Sequence, residues 1–218
     1  SYKGKLYELE CWRIARTLRF KGNKFNTQNE HDLGGSSARN DLECNYENNQ
    51  KVGIEIKKHN TPDWMQCSIT FNEKKSCWEG SSKAKIPQSC VGIFNNLLRE
   101  INLFDNKNPP FLSNNFTHEE WTTLKSSTEL WNDCYFDIPK CTIASLYARK
   151  NNSYIQISGG FGLYHLGEDT YNFGVPMFCI DQQLRIRIKV HTRKNTAGYC
   201  KLSVMAACQP KRVKSLVV

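Results

Sequence analysis

Apolar and polar residues alternate most cleanly between residues 41 and 57. Leu42, Cys44 and Tyr46 fall on one side of an extended chain, and Asp41, Glu43 and Asn45 on the other, because successive side chains of a strand point to opposite faces. Val52, Ile54 and Ile56 repeat the pattern against Glu55 and Lys57. Residues 47–51 carry an Asn-Asn pair, and that turn folds the two runs into a hairpin. With an odd number of residues in the loop, Asp41 is expected opposite Lys57 and Glu43 opposite Glu55. Two or three carboxylates and one ammonium then share one polar patch.

The same reading places an amphipathic helix over residues 2–20, with Tyr7, Cys11, Ile14 and Leu18 on its apolar face. Residues 24–39 are polar, carry His31, Asp32, Gly34 and Gly35, and read as a loop. Residues 65–71 alternate as a strand that turns Gln66 to its polar side. From Pro87 to Phe104 the apolar spacing is helical. Residues 106–114, with two prolines, form a loop and mark a boundary. Thr117 and Glu120 are spaced as a capping box for a helix carrying Trp121, Leu124, Leu130 and Trp131. A short helix near Pro139 carries Ile143, Leu146 and Tyr147. The chain is β-rich from Tyr154 onward. In residues 184–193, Leu184, Ile186, Ile188 and Val190 face one way, and Arg185, Arg187, Lys189, His191 and Arg193 the other. A last strand spans residues 200–208 and a basic tail residues 211–214.

Composition makes the chain globular: 39% of its 218 residues are apolar and 23% charged, close to the averages for folded domains. Thirty basic residues against 21 acidic ones leave a net charge of +9. That balance favours polyanionic partners and speeds their capture, without separating DNA from RNA or from an anionic membrane. No run approaches the ~20 apolar residues of a membrane span, so no membrane partner is expected. Ten cysteines contain no Cys-x-x-Cys pair, which argues against a zinc ribbon. Several alternate with Leu, Ile, Phe or Met, where reduced cysteine acts as a small core residue. This reading expects an intracellular protein of cytoplasm or nucleus. Two glycosylation acceptor sequences, at Asn115 and Asn151, keep a secreted, disulfide-bonded protein open.

The hairpin carries the candidate chemistry. Oxygen-rich acidic clusters hold Mg²⁺, which takes a few carboxylates and keeps several waters, and a lysine beside such a metal orients or deprotonates a water. An Asp, a gap across a hairpin and then Glu-x-Lys resembles the active site of the PD-(D/E)XK nuclease superfamily, which includes restriction endonucleases and resolvases. The matching residues are Asp41 and Glu55-Ile56-Lys57; Asn40 stands where the motif has proline. The paired glycines before the Asp strand are similar to the resolvase branch. A histidine ligand, for which His31 is the candidate, is instead similar to cap-snatching endonucleases that cut RNA.

The resemblance implies an α/β fold, a restriction-endonuclease-like mixed β-sheet core flanked by helices, with a β-rich C-terminal extension. The expected division is a nuclease core over residues 1–105 and a helical and β-rich remainder over 106–218, packed as one domain. It further implies a metal-dependent nuclease that hydrolyses phosphodiester bonds. Asp41 and Glu55 would ligate Mg²⁺, with Mn²⁺ as substitute, and the main-chain carbonyl of Ile56 would complete the set. Lys57 would orient the attacking water, and would serve as a base only with a depressed pKa. Glu10 on the first helix is the candidate for a further carboxylate that positions the metal, and Gln66 for an amide that holds the site. Expected partners are nucleic acid, DNA ahead of RNA, and a second copy of the chain. A site-specific and a structure-specific endonuclease are both open.

The strand carrying Arg185, Arg187, Lys189, His191 and Arg193 is the candidate phosphate track; its alternative is a charged edge strand that discourages aggregation. Two other classes stay open: a nucleic-acid-binding module without catalysis, and a secreted interaction protein.

Overall fold

The computed structural model of the chain describes residues 2–30, 33, 39–107, 109, 115–127, 129, 132–191 and 198–213. In chain order they form helix α1 (Tyr2–Ala15) and three two-residue strands, β1 (Arg19–Phe20), β2 (Asn23–Lys24) and β3 (Asn26–Thr27). Strands β4 (Leu42–Tyr46), β5 (Gln50–Lys57), β6 (Met65–Asn72) and β7 (Cys77–Gly80) follow. Next come helices α2 (Gln88–Arg99) and α3 (His118–Ser127), strand β8 (Cys134–Ile138) and helix α4 (Thr142–Ala148). Strands β9 (Tyr154–Ile157), β10 (Gly162–His165), β11 (Gln182–His191) and β12 (Lys201–Pro210) complete the order. The result is a mixed α/β fold, as expected. No helix among the described residues is long and apolar enough to cross a membrane.

The chain divides into two compact units. The first comprises Ser1–Trp64, Pro139–Gln182 and Pro210–Val218, and the second Met65–Ile138 and Gln183–Gln209. The expected division at residues 105/106 therefore falls inside the second unit. Each unit is built from segments far apart in sequence, and the strand pairings that join them leave no mark in local composition. The β-rich C-terminal region supplies both units: β9 and β10 join the sheet of the first, β11 and β12 that of the second.

The first unit holds a five-stranded sheet in the order β10-β9-β5-β4-β3. It is mixed: β5 and β9 run parallel, while the other neighbours are antiparallel. Helix α1 packs on β4 and β5 and is shorter than its apolar pattern predicts. After Ala15 the amides of Thr17 and Leu18 close onto the carbonyls of Ile14 and Ala15, and residues 19–24 form a hairpin instead. Of the expected apolar face, Ile14 and Leu18 are about half exposed, whereas Trp12 and Ala15 are buried. The Trp12 indole decides this face. Its Nε1 donates to the Gln28 carbonyl at 2.8 Å, and the Gln28 side chain bonds the carbonyl of Asp41 and the amide of Glu43. The helix is thereby tied to the strand end that presents Asp41. Leu42, Cys44, Tyr46, Val52 and Ile56 form the core with Trp12, Phe25 and Tyr154, and Tyr46 stacks on Phe25 at 4.7 Å. Each such side chain, fully buried, contributes roughly 1.5–3 kcal/mol.

The second unit holds a five-stranded sheet in the order β7-β6-β12-β11-β8. Helix α2 buries Cys90, Val91, Phe94 and Leu98 and lies close on β7: a Cβ at Gly80 would meet Val91 Cγ1 at 2.5 Å, and the Gly80 amide donates to Asn95 at 2.7 Å. The expected capping box is present. Thr117 Oγ1 accepts from the Glu120 amide, and Glu120 accepts from the Thr117 amide. Leu130 and Trp131 lie outside the described residues.

None of the ten cysteines is joined in a disulfide, and Cys44, Cys67, Cys90, Cys200 and Cys208 are buried. Burial pushes the thiols of Cys44 and Cys67 up to about 12, so these sulfurs act as neutral packing groups.

Candidate active site

The hairpin sets the site. Its loop is Glu47, Asn48 and Asn49, all with left-handed φ angles (35°, 43° and 62°), a conformation Asn tolerates better than most residues. Tyr46 pairs with Gln50, Glu43 with Gly53 and Leu42 with Ile54. The loop closes one pair earlier than the sequence suggested, so the register is shifted by two residues. Glu43 faces Gly53 instead of Glu55, and forms an ion pair with Lys51 at 3.0 Å. A shift of two leaves every side chain on its own face, and Asp41, Glu55 and Lys57 do meet.

Their contacts are close. Lys57 Nζ donates to Glu55 Oε1 at 2.5 Å, to the Ile56 carbonyl at 3.1 Å and to Asp41 Oδ2 at 3.3 Å. Asp41 Oδ2 also accepts from the Ile56 amide at 2.9 Å. The Glu55 side chain is only 2% exposed, against 14% for Asp41 and 16% for Lys57. Glu55 is thus the floor of the cluster, and Asp41 and Lys57 stand at its mouth.

The floor is secured by residues the sequence reading did not single out. Lys150 Nζ donates to Glu55 Oε2 at 2.9 Å, and Asn152 Nδ2 donates to the same oxygen at 3.1 Å. Both ammonium groups lie over the Tyr147 ring, Lys57 at 5.1 Å and Lys150 at 5.4 Å from its centroid, positions favoured by the ring quadrupole. Tyr147 is fully buried in α4 and its hydroxyl donates to the Trp64 carbonyl. The loop after α4 reaches Glu55 because β9 runs parallel to β5 with Ile54 beside Tyr154. Gly53 admits it: a Cβ there would lie 2.2 Å from the Asn151 carbonyl oxygen. The Lys-Asn-Asn run just before the Tyr154 strand was the available signal, but nothing in it named β5 as the neighbour.

Electrostatics give each group a state. Burial pulls the Lys57 ammonium down, but Tyr147, Glu55 and Asp41 together hold it well above the ordinary lysine value. These contacts favour the charged form of Lys57. Burial pushes the Glu55 carboxyl up, Lys57 and Lys150 pull against that shift, and Asp41 adds to it; the net direction is upward.

The helix carboxylate whose charge interacts with this cluster is Glu8. Glu8 is half-buried, and its pKa is raised by burial and then by Asp41, with a smaller push from Glu55 and an opposing pull from Lys57. Glu10 is exposed and lines an apolar groove with Tyr7, Ile14 and Leu163. Two residues along a helix are about 200° apart, so only one of the two acids can face inward. Glu8 shares its stripe with Trp12 and Ala15, four and seven residues on, and that spacing was the signal for it.

The donor set fits a hard divalent cation in kind. Two carboxylates and one main-chain carbonyl converge on a single point, the Lys57 nitrogen, and Mg²⁺ commonly takes one or two carboxylates and fills its shell with water. Asn152 Oδ1 is buried beside them without a hydrogen-bond partner among the described residues. Three or more His, Cys, Asp or Glu side chains grouped for a metal do not occur among the described residues, so any ion here would rely on the Ile56 carbonyl and on water.

The other expected positions lie elsewhere. Strand β11 is flanked by β12 and β8 and is not an edge strand. Arg185 is committed to Asp133 through Nε at 2.8 Å and Nη2 at 2.5 Å. Arg187 Nη2 donates to Gln66 at 2.9 Å, so Gln66 belongs to the second unit with its arginine. Lys189 is exposed. The basic face is therefore not a row of five equivalent cations: an acid from outside the strand neutralises its first member. His191 ends β11; Arg193, His31, Asp32, Gly34 and Gly35 lie outside the described residues.

No protein-family model matches the chain, and no curated protein matches it. Among solved structures, HhaI endonuclease in complex with DNA is similar over 97% of this chain and 92% of that one, with a TM-score of 0.47 and 14% sequence identity. This is a distant likeness of fold.

Proposed function

We propose that the protein is a metal-dependent nuclease that hydrolyses phosphodiester bonds of nucleic acid, DNA ahead of RNA. One observation carries the reading: Asp41, Glu55 and Lys57, which the strand pattern places on one face, meet within hydrogen-bonding distance around a buried glutamate. Asp41, Glu55 and the Ile56 carbonyl would hold the ion. A bound divalent metal supplies a water of lowered pKa and polarises the phosphate. Lys57, as an ammonium, would donate to the attacking water or a phosphate oxygen and offset the charge that builds in the transition state. Lys150 and Asn152 fix the orientation of Glu55. The chain's positive balance favours approach of a polyanion.

The test is incubation of the purified chain with plasmid, linear DNA and RNA, in Mg²⁺ or in EDTA. Cleavage is expected in Mg²⁺ only, and Asp41→Asn and Glu55→Gln should each lower its rate by about a hundredfold or more, the scale of losing an electrostatic contact at a reacting centre. Binding without cleavage of any substrate would favour the non-catalytic module. Wild-type rates in Glu55→Gln would remove this cluster from the chemistry.

A further inference from the structure

Lys57 has an unusual set of acceptors. Its ammonium takes three oxygens: Glu55 Oε1 at 2.5 Å, the Ile56 carbonyl at 3.1 Å and Asp41 Oδ2 at 3.3 Å. These are the same two carboxylates and the same carbonyl that a divalent ion would use. An ammonium has three donors and no acceptor, so three converging oxygens satisfy it fully. The seat is a cation seat, and the chain fills it with its own cation.

We infer, resting on the reading of this cluster as a metal-assisted hydrolytic site, that Lys57 and a divalent metal ion are alternative occupants of one three-oxygen seat. Metal entry then requires Lys57 to leave. The geometry makes that exchange local. Lys57 is 16% exposed, so part of its side chain already meets solvent, and its stem of four flexible carbons allows the ammonium to swing away from the seat. Glu55 stays in place because its other oxygen belongs to Lys150 and Asn152, themselves 4–5% exposed or less. The released ammonium lies beside the seat, where a water or a phosphate oxygen would be met. Lys57 thereby has two successive tasks. It neutralises the buried acids when no ion is bound, and it becomes available to substrate only after an ion has replaced it. Metal first and substrate second is the order this imposes.

The inference separates sharply from a model in which Lys57 and the metal sit side by side. In that case removing Lys57 leaves the metal's ligands untouched and changes affinity only through a missing charge. In the shared seat, the ion no longer has to break three charge-assisted bonds.

The experiment measures Mn²⁺ binding by titration calorimetry, with no nucleic acid present, on the wild type, Lys57→Met, Lys57→Gln and Asp41→Asn. In parallel, Lys57 in the wild type is labelled with an amine-acylating reagent, with and without Mn²⁺, and read by mass spectrometry against its neighbour Lys58. The shared seat expects Lys57→Met and Lys57→Gln to bind Mn²⁺ about tenfold tighter or more, the scale of one charge-assisted hydrogen bond no longer broken. It expects Asp41→Asn to bind more weakly, and Mn²⁺ to raise Lys57 labelling relative to Lys58. Unchanged or weaker binding in both Lys57 variants overturns it, as does tighter binding with labelling that Mn²⁺ leaves unchanged or lowers, since the lysine then acts only through its field. In either case a wild type that still cleaves in Mg²⁺ keeps the hydrolytic reading intact. If neither wild type nor variant binds the ion, the shared seat and the metal-dependent reading fall together.

Discussion

Lys150 and Glu55 are 95 residues apart in the chain and 2.9 Å apart in space. Both side chains are buried, at 4% and 2% exposed, so neither tolerates the loss of its partner. Removing one member of a buried ion pair leaves an uncompensated charge and costs roughly 3–5 kcal/mol. Glu55 keeps Lys57, which places Lys150→Met near the lower end of that range in urea unfolding. The pair Glu55→Gln with Lys150→Met should be less destabilised than the sum of the two single changes, because the stranded charge is gone. Additive losses would mean that the two groups do not depend on each other.

Glu8 should matter where Glu10 does not. Its folded pKa lies above the unfolded one, so the folded state binds the proton more tightly. Stability from that group is fully present below the unfolded value of about 4.3 and declines as pH rises through the folded value. Glu8→Gln removes the conflict with Asp41 and Glu55. The variant should therefore be more stable than wild type at pH 7, with the gain disappearing near pH 4, while cleavage falls. Glu10→Gln should change neither. An equal or larger effect on cleavage from Glu10 would return the helix carboxylate to the position first expected from the sequence.

The basic strand should divide by partner. Arg185 is 20% exposed and paired with Asp133, so Arg185→Gln should lower stability by about 1 kcal/mol. Lys189, exposed on the same strand, should give Lys189→Gln no stability change. If the strand contacts phosphate, Lys189→Gln reduces the slope of log affinity against log salt by about one for a catalytically dead form. An unchanged slope would leave β11 without a role in binding.

Asp169 supplies a pH test of the first unit. Its carboxylate accepts from the Tyr154 hydroxyl at 2.7 Å and from the amides of Phe173 and Gly174 at 3.0 and 2.8 Å. Burial works against the charge, but these bonds win and its pKa is lowered. The stability this brings is present above the unfolded value of about 3.9 and is lost as pH falls through the lower folded value. Asp169→Ala should be destabilised by about 1–3 kcal/mol at pH 7, since it removes the acceptor of the Tyr154 hydroxyl. The gap from wild type should narrow below pH 4. A gap that stays constant with pH would assign the effect to packing alone.

The cluster of Asp41, Glu55 and Lys57 was legible because strand parity survives a register error of two: the expected opposite pairs were wrong, and the shared face was right. The Thr117 capping box was legible for a related reason, since both of its partners lie within one turn. Lys150, Asn152 and Tyr147 were not legible. They reach Glu55 through a parallel pairing of β5 with β9, and a parallel neighbour leaves no turn residues to announce it. The helix face was misread because Ile14 and Leu18 continue a plausible stripe on paper, while the Trp12 indole, bonded to the Gln28 carbonyl, rotates the helix to bury Trp12 and Ala15. Arg185 looked unopposed because Asp133 lies 52 residues earlier.

The parallel register of Ile54 with Tyr154 also sets a clock. A ribosome completes Asp41, Glu55 and Lys57 early, while Lys150 and Asn152 are still unmade. At roughly 5–20 residues per second, Lys150 emerges about 5–20 s after Glu55. Through that interval the growing chain holds a glutamate that has no second cation to bury it and no β9 to lie beside it. The hairpin is synthesised first, and the floor beneath Glu55 is assembled only when the far strand arrives.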